Sequence, residues 1–103
     1  MATYKFLVVT NPVPGREAEF NDWYDRQHVP DVLKVTGFRA AQRFKVTGDS
    51  DLHGQYVAIY EMETDDPNAA IAELSARAGK HDMPLSDALD LATVSTTLLT
   101  PIA

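Results

Sequence analysis

Tyr24 and His28 are the residues best suited to moving a proton, and they stand four apart, so a helix would bring hydroxyl and imidazole to one side. Imidazole titrates near neutral pH and serves as acid or base toward a carbonyl compound, while the tyrosine hydroxyl can hold a substrate oxygen or orient the ring. The same helical stripe carries Phe20, Trp23 and Gln27. Glu17, Glu19, Asp22, Asp25 and Arg26 lie on or near the opposite face. A stripe that starts aromatic and ends polar reads as a pocket wall with a titratable group at its rim. The other reading is a core-facing stripe whose histidine bonds a backbone carbonyl at the helix end. In the last helical turn the dipole favours imidazolium and burial favours neutral imidazole, so His28 is expected to titrate near neutrality.

Other residues supply walls and alternatives. Phe20, Tyr56 and Tyr60 are expected to line the pocket, and Trp23 is core or apolar wall. Asn11 binds a ligand through its amide or caps the turn before Pro12. His81, beside Asp82, closes the pocket mouth or is solvated, and His53 is expected to be exposed. Arg43 is expected to pair across strands with Glu61 or Glu63; the alternative is a cation holding an enolate-like oxygen. No metal site is expected: Asp22 lies away from His28 around the helix, and the Asp49-Ser50-Asp51 loop lacks the length and terminal Glu of a calcium-binding hand. There is no glycine-rich phosphate loop and no serine elbow, and no cofactor is expected.

The elements that must position these residues follow from periodicity. TYKFLVVT (3–10) is a strand stopped by Asn11-Pro12 and Pro14-Gly15. Helix one runs from Glu17 and is expected to end at Pro30, which cannot donate a helical hydrogen bond, with room for one more helical turn at Asp31 to Val35 before Thr36-Gly37. Phe38 to Thr47 alternates, with Phe38, Ala40, Gln42 and Phe44 assigned to one face, and Gln55 to Glu63 returns as its hairpin partner. By this parity Tyr56 and Tyr60 share a side with Gln42 and Phe44. Helix two starts after Asp65-Asp66-Pro67 and stops at Gly79. Leu89 to Leu99 is expected to form the last strand. The order is βαββαβ, an α+β ferredoxin-like fold with a four-stranded antiparallel sheet. Two helices cover one face of such a sheet, yet apolar residues occupy both faces of strands one and three. The expected cover is a second copy of the chain, giving a homodimer through the open sheet face.

With 103 residues, residues 1–103 are expected to form one domain. A net charge of -6 and scattered basic residues argue against nucleic acid as a partner. With no cysteine there is no disulfide, thiolate metal site or thiol nucleophile. No apolar run approaches the roughly 20 residues of a membrane span, and no leader is evident. A cytoplasmic location is expected.

Asn11-Pro12, Glu17, Glu19-Phe20, Trp23-Tyr24, His28-Val29-Pro30, Gly37-Phe38, Arg43-Phe44 and the strand Tyr56 to Glu61 together resemble the dimeric α/β-barrel superfamily, and within it small bacterial EthD-like proteins. The resemblance spans Thr3 to about Leu99. It implies a ferredoxin-like monomer, a dimer, and a ligand pocket between sheet and helices. The wider superfamily holds cofactor-free cyclases, dehydratases and isomerases, haem-degrading monooxygenases and members without known activity, so fold alone selects no function. Three expectations result. The first is a cofactor-independent enzyme performing dehydration, cyclisation or isomerisation on an apolar aromatic or polyketide-like carbonyl compound, with His28 and Tyr24 catalytic. The second is a non-catalytic dimeric binding or accessory protein for a small apolar ligand. The third is a haem-binding monooxygenase using Asn11 and His81, weakened because Trp23 lies on helix one and not on the third strand.

Overall fold

The computed structural model describes residues 2–102; Met1 and Ala103, which the expected one-domain span includes, lie outside the described residues. The β-branched and aromatic runs form β1 (Thr3–Thr10), β2 (Phe38–Lys45), β3 (Tyr56–Glu63) and a shorter β4 (Ser95–Leu99). They make one sheet in the order β2-β3-β1-β4, every neighbouring pair antiparallel. Helices α1 (Glu17–Trp23), α2 (Val29–Val32) and α3 (Pro67–Arg77) contribute to the core against one face of the sheet, where Phe20, Tyr24, Val32 and Ala70 meet Phe6, Val8, Ala58, Tyr60 and Met62. The architecture is α+β and ferredoxin-like, as expected. Asp66 caps α3 by accepting from the Ala69 amide at 3.0 Å, and Gly79, at φ +83°, follows its end.

Three local expectations are corrected. Pro30 does not end helix one. Tyr24–His28 form a π-helical turn, with the Val29 amide donating to the Tyr24 carbonyl five residues back, and α2 continues to Val32 with Pro30 in its first turn. The wider turn absorbs the hydrogen bond proline cannot make.

The second correction concerns strand parity. Phe38 lies opposite Met62 and Ala40 opposite Glu61, so Arg39 is an extra residue and β2 carries a bulge. One added residue exchanges the faces of all that follow. Ala41, Arg43 and Lys45 therefore sit beside Tyr60, Ala58 and Tyr56 on the helix side, and Gln42 and Phe44 turn outward with Ile59 and Val57.

The third is the last strand, which starts at Ser95. Before it, residues 84–94 form a strap with a 3₁₀ turn at Leu91–Thr93. Its backbone is tied to the β1–α1 connection by Val13 N–H to Ala88 O (2.7 Å), Asp90 N–H to Asn11 O (3.0 Å) and a Pro12–Leu89 bridge. Ties to another element use up the groups a longer β4 would need. On the outer face the hairpin loop lies against β1 so closely that a Cβ at Gly54 would come within 2.5 Å of Val9 Cγ1.

Candidate functional site

The π turn sets the geometry of the site. In an α-helix, residues five apart lie about 140° around the axis from one another. Here the turn closes on the fifth residue, and the rings of Trp23 and His28 stack with centroids 4.7 Å apart and planes 28° apart. Tyr24 meets the same imidazole edge-on at 5.0 Å and 86°. Trp23 Nε1 donates to the Pro84 carbonyl at 3.2 Å, fixing the indole to the strap.

Stacking and burial decide the protonation of His28. Its Nδ1 is buried without a hydrogen-bond partner among the described residues. Burial pushes the imidazole down to about 4; the Asp31 carboxylate opposes this and the Arg43 cation adds to it. The expectation of titration near neutrality is therefore corrected. The helix runs on to Val32, so His28 is not at the carbonyl end of a dipole, and desolvation prevails. At pH 7 it is a neutral ring.

Tyr24 and Tyr60 are both buried, with their hydroxyls 3.4 Å apart, a long hydrogen bond that Tyr60 donates to Tyr24. Burial raises both phenols, so each keeps its proton. Two hydroxyls joined by one bond leave one O–H free to donate elsewhere. Arg43 packs on Tyr24 from the sheet. Its guanidinium lies 4.3 Å from the Tyr24 ring centroid and donates to Asn21 Oδ1 at 2.8 Å and Asp25 Oδ1 at 2.9 Å.

A cavity of about 220 Å³ opens beside these groups, between sheet, helices and strap. Trp23, Tyr24, His28 and Tyr60 line it. Phe6 and Val8 of β1, Ile71 and Leu74 of α3, and Leu85, Leu89 and Leu91 of the strap close its apolar sides.

The remaining expected site residues fall elsewhere. Phe20 is wholly buried behind Tyr24, its ring 5.6 Å away, and does not line the cavity. Tyr56 packs on Phe20 at 5.3 Å and accepts from Asn21 Nδ2 at 3.2 Å, also outside the lining. Asn11 is a junction: Oδ1 accepts from the Gln55 amide at 3.0 Å, while Nδ2 donates to the His53 carbonyl at 3.1 Å and Thr93 Oγ1 at 3.2 Å. Both N–H groups and the oxygen are bound to the hairpin loop and the strap, so the amide serves as a structural junction. His81 is exposed in the turn after α3 and does not reach the cavity. His53 is exposed, as expected.

The expected cross-strand pairing of Arg43 with Glu61 or Glu63 is not made: Arg39 of β2 pairs with Glu63, and Lys5 of β1 with Glu61 at 3.6 Å. The bulge that redirects Arg43 has no signature in periodicity. The strap leucines were missed because a Thr- and Val-rich run imitates a longer strand. Among the described residues, no cluster of three His, Asp or Glu is placed to hold a metal.

Comparison with solved structures finds the same fold in proteins of very different sequence. The heme-degrader MhuD from Mycobacterium tuberculosis, solved with two haems in its active site, shares 14% identity over 97% of this chain and 96% of its own, at a TM-score of 0.68. An ethyl tert-butyl ether degradation (EthD) family protein from Bacillus halodurans shares 14% over 96% and 99%, at 0.52. An Arabidopsis thaliana protein shares 19% over 97% and 96%, at 0.58. The EthD-like, ferredoxin-like fold expected from the sequence is borne out. No curated protein matches the sequence. The family described as "Domain of unknown function (DUF4286)" matches residues 2–76.

Proposed function

Because the chain belongs to the DUF4286 family, a domain of unknown function, we propose its activity from the site itself: cofactor-independent acid/base chemistry on a small, mostly apolar carbonyl compound held in the cavity. The observation that carries this reading is the meeting, on one apolar cavity, of a neutral imidazole and a hydroxyl pair with a proton to donate. His28 takes a proton from the carbon beside the carbonyl, and the electron pair moves onto the carbonyl oxygen. The free O–H of the Tyr24–Tyr60 pair donates to that oxygen as charge develops. Where a C=C bond is conjugated with the enol, return of the proton from His28 to the far carbon is an isomerisation; where the β-carbon carries a hydroxyl, the imidazolium gives it the proton and it leaves as water, a dehydration.

Haem does not fit the residues present. Asn11 is engaged in loop contacts, His81 is exposed and away from the cavity, and 220 Å³ is space for one ring, not a tetrapyrrole. The test of the acid/base reading is solvent exchange. Ring-sized ketones in D2O should lose their α-proton NMR signals faster with the protein than with buffer, and His28→Gln should return the rate to that of buffer. A His28→Gln variant exchanging at the wild-type rate removes the proposed role. Binding without any exchange favours a non-catalytic binding protein instead.

We also propose a cytoplasmic homodimer joined through the outer sheet face. Leu7 pairs with Ile59 on that face, Phe44 and Leu99 share it, and Phe44 and Leu99 are 43% and 40% exposed. Ile59→Lys places a charge on that face and should halve the mass seen by sedimentation velocity; a wild-type chain already sedimenting as a monomer at micromolar concentration refutes it.

A further inference from the structure

We infer that the cavity selects an uncharged compound about the size of one substituted ring, oriented with its oxygen toward the Tyr24 and Tyr60 hydroxyls. This deepens the proposed function and rests on the cavity being the ligand site. Three observations support it.

The first is size. A dry cavity of roughly 150 Å³ accommodates benzene, and drug-sized ligands occupy roughly 300 Å³ or more. At about 220 Å³ the space lies between, enough for a ring with a short substituent. The second is charge. Among the described residues lining the cavity there is no Asp, Glu, Lys or Arg. Arg43 is near the site but not in the lining; its guanidinium lies over the Tyr24 ring and donates to Asn21 and Asp25. A carboxylate or phosphate entering here would shed its hydration and meet no cation. The third is the pattern of polar atoms. The lining offers hydroxyls and one imidazole, groups that pair with a neutral oxygen without neutralising a charge. Among the described residues, the free proton of the Tyr24–Tyr60 pair has no acceptor, and a ligand oxygen supplies one.

Three probes of nearly the same shape separate these terms: cyclohexyl methyl ketone, cyclohexanecarboxylate and isopropylcyclohexane. The readout is built in, since Trp23 is the sole tryptophan and lines the cavity, so its fluorescence reports occupancy. At pH 7 the ketone should bind at least about 100-fold more tightly than the carboxylate, because the buried charge stays unpaired. It should bind about 3- to 10-fold more tightly than the hydrocarbon, the worth of one hydrogen bond, and the double variant Tyr24→Phe/Tyr60→Phe should remove that second preference, whereas either single variant keeps one free O–H. Equal binding of ketone and carboxylate overturns the selection against charge while leaving the cavity as the ligand site. Equal binding of ketone and hydrocarbon overturns the orientation. If none of the three changes Trp23 emission or gives a ligand-detected NMR signal, the ligand site fails and this inference fails with it.

Discussion

Replacing Arg43 with alanine should destabilise the protein far more than replacing its neighbour Gln42, and the contrast tests the bulge that sets the architecture of the site. Strict alternation from Phe38 would turn Gln42 toward the helices and Arg43 toward the outer face. The bulge at Arg39 reverses this. Arg43 is 15% exposed in its side chain, lies over the Tyr24 ring and donates to Asn21 and Asp25. A partly desolvated cation–π contact contributes about 1–2 kcal/mol. The hydrogen bond to the half-buried Asn21 adds about 1.5–3 kcal/mol, as bonds to charged groups do. Asp25 is 65% exposed, so its ion pair adds little. Arg43→Ala should therefore cost about 2.5–5 kcal/mol. At roughly 4–8 °C per kcal/mol for a domain near this size, even the lower figure moves the thermal midpoint by about 10 °C or more. Gln42→Ala, on an exposed position, should cost less than about 1 kcal/mol. Thermal unfolding followed by circular dichroism at fixed protein concentration reads both, the concentration being held because association shifts the midpoint. If Gln42→Ala were the costlier change, the register and the site built on it would be wrong.

Two further outcomes follow from burial and hydrogen bonding. The folded-state titration of His28 lies near 4, below the ordinary 6.5, so the folded protein binds fewer protons between those values. Stability from this residue is complete above pH 6.5 and is lost as pH falls toward 4, by roughly 2–4 kcal/mol. Denaturant unfolding at pH 7 and pH 4 should show the wild-type advantage over His28→Gln shrinking by that amount, and an unchanged gap would mean the imidazole is not held neutral. Asn11→Ala should cost about 1–2 kcal/mol and raise hydrogen exchange at the Gln55 amide, which loses its acceptor; weakened ligand binding with Gln55 exchange unchanged would instead place Asn11 in the ligand site.

What the sequence revealed was whatever repeats with a regular period. The strands at Thr3–Thr10 and Tyr56–Glu63 alternate or run apolar, Asp66-Pro67 announces α3, and the element order alone yields the ferredoxin-like topology. Tyr24 and His28 were found because four residues on a helix are neighbours under almost any local geometry. Tyr60 was found because it belongs to a regular strand. Asn11 was drawn toward the ligand by the chemistry of its side chain, and no local pattern tells that its amide joins the hairpin loop to the strap. His81 was drawn in by its identity; its position depends on the path of a turn.

The two irregularities of the backbone converge on Tyr24. In the helix, a π turn starting at Tyr24 brings Trp23 over His28, a stack the α-helical period forbids. In the facing strand, one extra residue at Arg39 turns Arg43 from the outer surface to the ring of Tyr24. Each insertion disrupts regular pairing, and both re-aim side chains toward the same aromatic cluster. Regular versions of both elements would still bury Phe20 and Tyr24 against the sheet, so the core does not require them. What they change is the polar environment of the cluster: an imidazole stacked on indole is held neutral by burial, and a cation is set against the phenol next to it. A departure from local rules that core packing does not demand points to the site as its reason.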